Sequence, residues 1–338
     1  MTDHHLMGPF VRRFLLEELV ADRNLSPNTQ KSYRDAIRLL FGFVAERYST
    51  DPVRVTVEQV DATLVRGFLV HLEDDRGNSI ATRNQRLAAF HSLFRFIGRL
   101  VPELVDYAAQ IQAIPLRRTA APVMPYLDKH EIDALLAAPD RSHAQGRRDH
   151  ALLLFLYNTG ARATEAALVS VADLILGTSP SVRFDGKGHK IRTCPLWPHT
   201  AKILQGLLGE RINGPRDSPV FLNVRGQPIT RYGVHALVAR TVDKAAETAP
   251  SLRDKRVSPH TIRHTTAVHL LRAGVDINTI RAWLGHASLE TTNRYAEVDL
   301  EMKAQALETC AITEPDPVPK HTPGWHSNSQ LMSFLASL

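Results

Sequence analysis

Apolar residues recur at helical spacing through the first third of the chain, and polar caps mark where each run begins. Ser26, Thr56 and Ser79 are the predicted caps of three helices, and Gly77-Asn78 is the predicted turn before the last of them. The apolar stripes are Tyr33, Ile37, Leu40 and Val44, then Val60, Leu64, Phe68 and Leu72, then Ile80, Leu87, Phe90, Phe94 and Ile97. We therefore expect an all-helical domain over residues 1–113.

The pattern changes after residue 113. Residues 114–126 contain three prolines and no periodicity, which predicts an extended interdomain linker. The following part, residues 127–309, carries helical patterns near Asp128, Asp149 and Thr230, with short strand-like segments and glycines over residues 173–196. We expect a mainly α protein whose second domain is mixed α+β with a small β-sheet or hairpin. A proline-rich tail, residues 310–338, follows.

Residues 258–295 hold the most chemically active side chains of the chain. Ser258 and the following proline predict that a helix begins there. Gly274 predicts the end of that helix, and Gly285 the end of a second one. Ser288 can cap a third helix, which carries Tyr295. The sequence therefore predicts helices closely spaced around two glycine turns.

Four side chains of this stretch suit phosphodiester chemistry. His260 and Arg263 are three residues apart and share one helix face. His286 follows a helix-ending glycine, where a side chain can turn into a cleft, and Tyr295 lies nine residues further on. If these groups converge, the cations can hold phosphate oxygens while the phenol attacks phosphorus.

The strings HTIRH, LGH and TTNRY, in this order and at this spacing, resemble the signature of tyrosine site-specific recombinases, which include phage integrases and Xer recombinases. SPNTQKSY resembles the opening helix of the family's N-terminal core-binding domain. The resemblance implies a two-domain, Xer-like protein with a SAM-like helical domain and a catalytic domain. It also implies a site-specific DNA recombinase that works in integration, excision, transposition or dimer resolution.

Two further motifs extend the resemblance. TGARATE resembles the family's TGLRxSE box and singles out Arg162 and Glu165, with Ala161 in place of Leu and Thr164 in place of Ser. FDGKGHKIRTCPL resembles the family hairpin that carries a catalytic lysine, here Lys187. The hairpin predicted from the glycines and the hairpin of the family therefore coincide.

The resemblance implies one role for each residue of a catalytic set. The set comprises the phosphate-binding Arg162, Arg263 and His286, the nucleophile Tyr295, the base His260, the acid Lys187 (with Lys190 as its alternative) and Glu165, which would orient Arg162 or His260. Cleavage would give a 3′-phosphotyrosyl bond and need no metal, cofactor or ATP. Recombination would need a homotetramer on two duplexes, in which the C-terminal segment SQLMSFLASL docks either into a neighbouring subunit or within its own.

The charge distribution permits DNA binding without requiring it. The net charge is +6, and residues 114–309 hold 26 Lys/Arg against 19 Asp/Glu, whereas residues 1–113 hold 14 of each. Basic side chains that either face solvent or line DNA phosphates are Lys31, Arg34, Arg38, Arg83, Arg86, Arg95, Lys190, Arg231 and Arg240. Both interpretations stay open for this set.

The composition excludes several classes. The chain has no apolar run of transmembrane length and no signal-peptide pattern at its start. Its two cysteines, Cys194 and Cys310, lack metal-type spacing and are predicted to be reduced thiols of a cytoplasmic protein. We therefore expect no membrane partner.

Three alternatives remain at this point. His260 and His264 have the i, i+4 spacing of zinc ligands on a helix, although Arg263 between them would repel a cation. A type IB topoisomerase would share the chemistry and the type of catalytic domain. A DNA-binding regulator with an inactive site belongs to another class, but every candidate catalytic position holds a competent residue.

Overall fold

The computed structural model describes residues 6–118, 125–186 and 191–285, apart from the side chain of Glu210. The chain divides into two units, Met1–Pro122 and Val123–Leu338. Within the described residues, no helix is both long enough and apolar enough to cross a membrane.

The regular elements in the described part of the first unit are helices, as its apolar periodicity predicts. Its helices are α1 (Met7–Arg13), which continues as a π-helix (Phe14–Asp22), α2 (Pro27–Tyr48), α3 (Ala62–Asp74), α4 (Ile80–Leu100) and α5 (Val105–Gln112), with short 3₁₀ turns at Pro52–Arg54 and Pro102–Leu104. The Ser26 and Ser79 hydroxyls each accept a bond from the backbone N–H three residues on, at 3.3 Å, so both predicted caps are confirmed. Phe14, Phe68 and Phe90 form part of the core between the helices.

The predicted cap of the second long helix, Thr56, is wrong. The helix begins after Asp61, whose Oδ1 accepts from the Leu64 N–H at 2.6 Å. The Thr56 N–H instead donates to the Gln59 side chain at 2.9 Å. Val60 is buried as expected, but it anchors the loop before the helix rather than the helix itself.

The second unit contains a small sheet surrounded by helices. Its helices are α6 (Lys129–Ala137), α7 (Ala144–Thr159), α8 (Ala163–Leu168), α9 (Pro198–Leu208), α10 (Arg231–Ala245), α11 (Pro259–Arg272) and α12 (Ile277–Leu284), with 3₁₀ turns at Val171–Asp173, Gly209–Asn213 and Pro250–Asp254. Its strands are β1 (Leu174–Ile175), β2 (Ser181–Asp185) and β3 (Ile191–Pro195). The mixed α+β architecture predicted for this part is therefore confirmed.

The sheet is antiparallel with the order β1-β2-β3, and alternate residues face the core. Val182 pairs with Cys194 and Phe184 with Arg192, and all four side chains are buried. An arginine thus occupies an inward position of β3, whereas the preceding Ile191 is 63% exposed. The usual inward and outward preferences are reversed at this point of the strand.

Helix α7 is the centre of the second core. It is buried on nearly every side, as its apolar run predicts, and Phe155 makes edge contacts with the rings of Phe184 and Phe221. Helices α9 and α11 pack against α7, and α12 packs against β3. Helix α12 therefore lies between β3 and α11, which in turn packs on α7.

Candidate active site

The site is built around the end of α12. Gly285 ends this helix with φ +66°, a left-handed conformation that suits glycine, as predicted. The last carbonyls of a helix have no partners within the helix and must find them elsewhere. Here three consecutive carbonyls, those of Trp283, Leu284 and Gly285, each accept a hydrogen bond from a different arginine. We call these residues the arginine-capped turn.

Arg263 is the most deeply buried of the three arginines. It projects from α11 with only 1% of its surface exposed. Its Nη1 donates to the Gly160 carbonyl and its Nη2 to the Leu284 carbonyl, both at 2.6 Å. Gly160 ends α7 with φ +59°, so Arg263 joins the carboxyl ends of two helices, where a cation is electrostatically favoured.

Arg162 lies two residues beyond Gly160, at the start of α8. Its Nη1 donates to Glu165 Oε1 at 2.8 Å, and its Nη2 makes a longer contact of 3.4 Å with the Gly285 carbonyl. The side chain is 43% exposed, so the guanidinium is accessible to a ligand. Of the two partners predicted for Glu165, Arg162 is the one that it contacts through these bonds.

Arg192 is the third arginine at the arginine-capped turn, and no motif in the sequence singles it out. Its Nη1 and Nη2 donate to the two carboxylate oxygens of Glu165, each at 2.8 Å. Its Nε donates to the Trp283 carbonyl at 3.0 Å, and its guanidinium carbon lies 4.4 Å from the centre of the Phe184 ring. The available signal was the alternation of β3, which places this arginine on the inward face.

Glu165 is held as a carboxylate by these contacts. Burial alone would raise its pKa, but the hydrogen bonds and charge of Arg192, together with those of Arg162, override burial and lower the pKa to about 2. The carboxylate therefore stays ionised at neutral pH and binds both guanidinium groups at once.

His260 and His264 lie on neighbouring turns of α11, with ring centres 4.1 Å apart. Partial burial and the charges of Arg263 and Arg162 lower the pKa of His260, which favours the neutral imidazole that a base requires. Burial, His260 and Arg263 lower the pKa of His264 to about 4. In the ranges that the structure describes, no set of three or more metal-ligating side chains forms around this pair.

Several predicted residues lie outside the described part of the chain. They are Lys187, Lys190, His286, Ser288, Tyr295, Cys310 and the tail 310–338. Cys194, by contrast, is buried, and burial raises the pKa of its thiol to about 12, so it is not a reactive thiolate.

The basic residues of the first unit differ in exposure. Lys31, Arg34, Arg38 and Arg95 are exposed, and Arg86 is half-buried. Arg83 is only 6% exposed, so the expectation that it lies on a solvated face is wrong. Its Nη1 donates at 3.1 Å to the carbonyl of Pro115, in the segment after α5, and its Nε lies 3.5 Å from Glu73 of α3.

Helix α10 carries the predicted basic residues of the second unit. The helix predicted near Thr230 is confirmed, and the Thr230 hydroxyl caps it by accepting from the Gly233 N–H at 3.1 Å. Arg231 is exposed and lies over the ring of Tyr232, with 4.9 Å between the guanidinium carbon and the ring centre. Arg240 is also exposed, but its Nη2 pairs with Asp149 at 2.7 Å.

The sequence matches two models of one protein family. "Phage integrase family" covers residues 125–302, and "Phage integrase, N-terminal SAM-like domain" covers residues 12–99. The chain is 40% identical to the provisionally named integrase/recombinase y4rC of Sinorhizobium fredii, with 100% of both chains covered. It is 35% identical to the tyrosine recombinase XerC of Pelobacter propionicus, covering 86% of this chain and 91% of that protein.

Solved structures share the fold. The XerH site-specific recombinase bound to palindromic difH substrate superposes with a TM-score of 0.65 at 22% identity, covering 87% of this chain and 82% of that one. The Tn1549 transposon integrase bound to a circular intermediate DNA gives a TM-score of 0.66 at 17% identity, covering 89% and 99%. With a family model that spans more than half of the chain and relatives of this similarity, the protein belongs to the phage integrase family of tyrosine recombinases.

Proposed function

We propose that this protein cuts and rejoins DNA at specific sites through a covalent bond between Tyr295 and a 3′ phosphate. The observation that carries the proposal is the arginine-capped turn. Arg162 and Arg263 come from different segments, yet both bind this turn, and His286 is the next residue of the chain. Two guanidinium groups bound to this turn, with the imidazole of the residue that follows it in the sequence, would form a binding site for a phosphate.

The two arginines would stabilise the charge that develops during the reaction. Attack on phosphorus increases the negative charge on the non-bridging oxygens, and a guanidinium offers paired donors that match such oxygens. Because Arg263 is held by two helix ends and Arg162 by Glu165, little reorganisation is needed when DNA binds. His286 would add a third donor.

Tyr295 would be the nucleophile, and His260 would accept its proton. A tyrosine has an ordinary pKa of about 10, so the phenol needs a base or a cationic pocket to ionise at neutral pH. The lowered pKa of His260 keeps its imidazole available to accept a proton. Lys187, or Lys190 in its place, would protonate the leaving 5′ oxygen.

This chemistry needs neither metal nor ATP. The arginines supply the positive charge that a bound cation would otherwise supply, and the phosphotyrosyl bond conserves the energy of the phosphodiester that it replaces. A second strand with a 5′ hydroxyl can therefore reverse the reaction.

The biological setting is also part of the proposal. We infer that four protomers act on two duplexes, and that the C-terminal segment of residues 329–338 exchanges between subunits. The relatives named for transposon integration and Xer recombination support a mobile element or a resolution system as the context. The first unit would grip DNA through the exposed Lys31, Arg34 and Arg38, and the protein would act in the cytoplasm.

Trapping the covalent adduct tests the function. The purified protein is incubated in EDTA with a library of nicked duplexes of random sequence, and protein–DNA adducts are isolated under denaturing conditions and sequenced. We expect wild type to give adducts on a shared DNA sequence, and Tyr295→Phe to bind that sequence without forming any. Adducts from Tyr295→Phe, or full loss of wild-type adducts in EDTA, would contradict the proposed chemistry.

The selected DNA sequence, placed in pairs of intact duplexes and in a supercoiled plasmid, separates the alternatives. A recombinase joins strands of two different duplexes, whereas a type IB topoisomerase only relaxes supercoils within one. A regulator with an inactive site would bind the selected DNA without forming an adduct.

A further inference from the structure

A buried arginine on the inward face of a strand requires a reason, because its charge gains little from an apolar core. Arg192 is such a residue, with 9% of its surface exposed. Its hydrogen bonds and its ring contact lie within the candidate site, where it meets Glu165, the Trp283 carbonyl and the Phe184 ring. A Cβ placed on Gly285 would lie 2.9 Å from Arg192 Cδ, so the turn and the arginine side chain are in close contact.

The bonds to Glu165 are divided between two arginines. Oε1 accepts from Nη1 of Arg162 and from Nη1 of Arg192, and Oε2 accepts from the backbone N–H of Arg162 and from Nη2 of Arg192. The carboxylate is therefore saturated, and only one side-chain bond ties Arg162 to it. Within the described ranges, the other partner of this guanidinium is the Gly285 carbonyl, 3.4 Å from Nη2, so donors of Arg162 are left for another anion.

The net charge of these three side chains also indicates that Arg162 is available to another anion. Arg162, Arg192 and Glu165 together carry a net charge of +1, since two guanidinium groups share one carboxylate. Without Arg192, Glu165 and Arg162 would form a neutral pair, and the carboxylate would be free to bind both Nη atoms of Arg162. The field at a bound phosphate would then be weaker, and the donors that should face it would turn away.

We propose that Arg192 is a positioning residue that neutralises Glu165 and thereby keeps the charge and the free donors of Arg162 available to the scissile phosphate. It acts through Arg162 and the arginine-capped turn without contacting DNA. The proposal rests on the proposed function, in which Arg162 binds the phosphate.

Single-turnover adduct formation at saturating DNA tests this role, with the nicked duplex that adduct sequencing selects. We expect Arg192→Met to slow adduct formation by about a hundredfold while the Kd for DNA stays within about threefold. Arg192→Lys restores a charge but not the two-pronged geometry, so we expect an intermediate rate. The matched control is Arg183→Met, which removes an arginine that is 60% exposed on the neighbouring strand β2, and we expect it to leave the rate unchanged.

Two readouts separate positioning from a loss of structure. The first is the double variant Arg192→Met/Glu165→Gln, which removes one charge of each sign and restores the net charge near Arg162. We expect it to cleave at least tenfold faster than Arg192→Met. The second is a duplex with a methylphosphonate at the scissile position, which lacks one anionic oxygen and so needs less positive charge. On this substrate the deficit of Arg192→Met relative to wild type should shrink to less than about tenfold.

The outcomes are distinguishable. The positioning role is overturned if Arg192→Met slows adduct formation by the same factor on the phosphate and methylphosphonate duplexes. It is also overturned if the double variant is no faster than Arg192→Met. The same holds for an Arg192→Met variant that cleaves as fast as wild type. If Arg162→Ala also cleaves at the wild-type rate, the proposed catalytic site itself fails, whereas a slow Arg162→Ala beside a fast Arg192→Met rejects only the role of Arg192.

Discussion

Replacing Gly160 by alanine tests whether the joined helix ends hold the site together. Gly160 has φ +59°, and a Cβ built there would lie 2.4 Å from Cδ2 of Leu284. Leu284 is fully buried, so its side chain cannot move aside into solvent. Both residues also offer their carbonyls to Arg263, and the added methyl group therefore pushes on both attachments of that arginine.

The expected loss of stability has two parts. A left-handed backbone costs an alanine about 1 to 2 kcal/mol relative to glycine. Forcing a methyl group into a packed core costs about 1 to 3 kcal/mol more. The chain offers a matched control in Gly274, which has φ +82° and open space for 4 Å around the position that a Cβ would take, so Gly274→Ala should show the backbone part alone.

Urea unfolding, monitored by tryptophan fluorescence, measures the difference in free energy of unfolding between the two variants. All three tryptophans follow residue 123, so their fluorescence reports on the second unit. We expect Gly160→Ala to lower the free energy of unfolding by about 1 to 3 kcal/mol more than Gly274→Ala. We also expect it to slow adduct formation about ten- to a hundredfold, because a small displacement of Arg263 misplaces its donors. Equal losses of stability in the two variants would refute the packing argument, and wild-type cleavage by Gly160→Ala would refute the link to Arg263.

Three further predictions concern individual charges. Because folding lowers the pKa of Glu165 to about 2, its carboxylate stabilises the fold at any pH above the pKa of the unfolded chain, about 4.5. In urea titrations, the stability difference between wild type and Glu165→Gln should therefore fall as the pH drops from about 4.5 towards 2, by at most about 1.4 kcal/mol per pH unit. A duplex with sulfur at the 5′ bridging position has a leaving group that needs no acid, so it should rescue Lys187→Ala; rescue of Lys190→Ala instead would make that lysine the acid. Arg38→Ala should reduce the slope of log K for DNA against log salt by about 1, whereas Arg83→Met should lower the melting temperature and leave that slope unchanged.

Elements with local signals were predictable from the sequence. Ser26, Ser79 and Thr230 each cap a helix by accepting a bond from a residue three positions away, so the signal and its partner lie in one short window. Glycine at a helix end is local in the same sense, as at Gly160 and Gly285. The start of α3 was missed because a threonine and an aspartate both suit a cap, and the buried loop between them decided in favour of the aspartate.

The arrangement of the site was less predictable because its bonds span the chain. Arg192 lies 27 residues from Glu165 and 91 from Trp283, so neither partner appears in any local pattern. Arg83 looked like a surface residue because one helical stripe was assumed for α4. In the structure the segment after α5 and Glu73 of α3 cover this arginine, and Pro115 lies 32 residues from it in the sequence.

The three arginines of the capped turn differ in burial, and this difference has an energetic consequence. Arg263 and Arg192 lie in the interior, where carbonyls and a carboxylate replace their water, while Arg162 remains 43% exposed. Among the residues that the structure describes, these three guanidinium groups and the Glu165 carboxylate sum to a net charge of +2, which opposes folding because like charges repel at short range. Carbonyls at the ends of α7 and α12 offset part of that repulsion, but a carbonyl carries no net charge. An anion placed beside Arg162 would relieve the rest, so the fold keeps an excess of positive charge next to the most exposed of the three guanidinium groups.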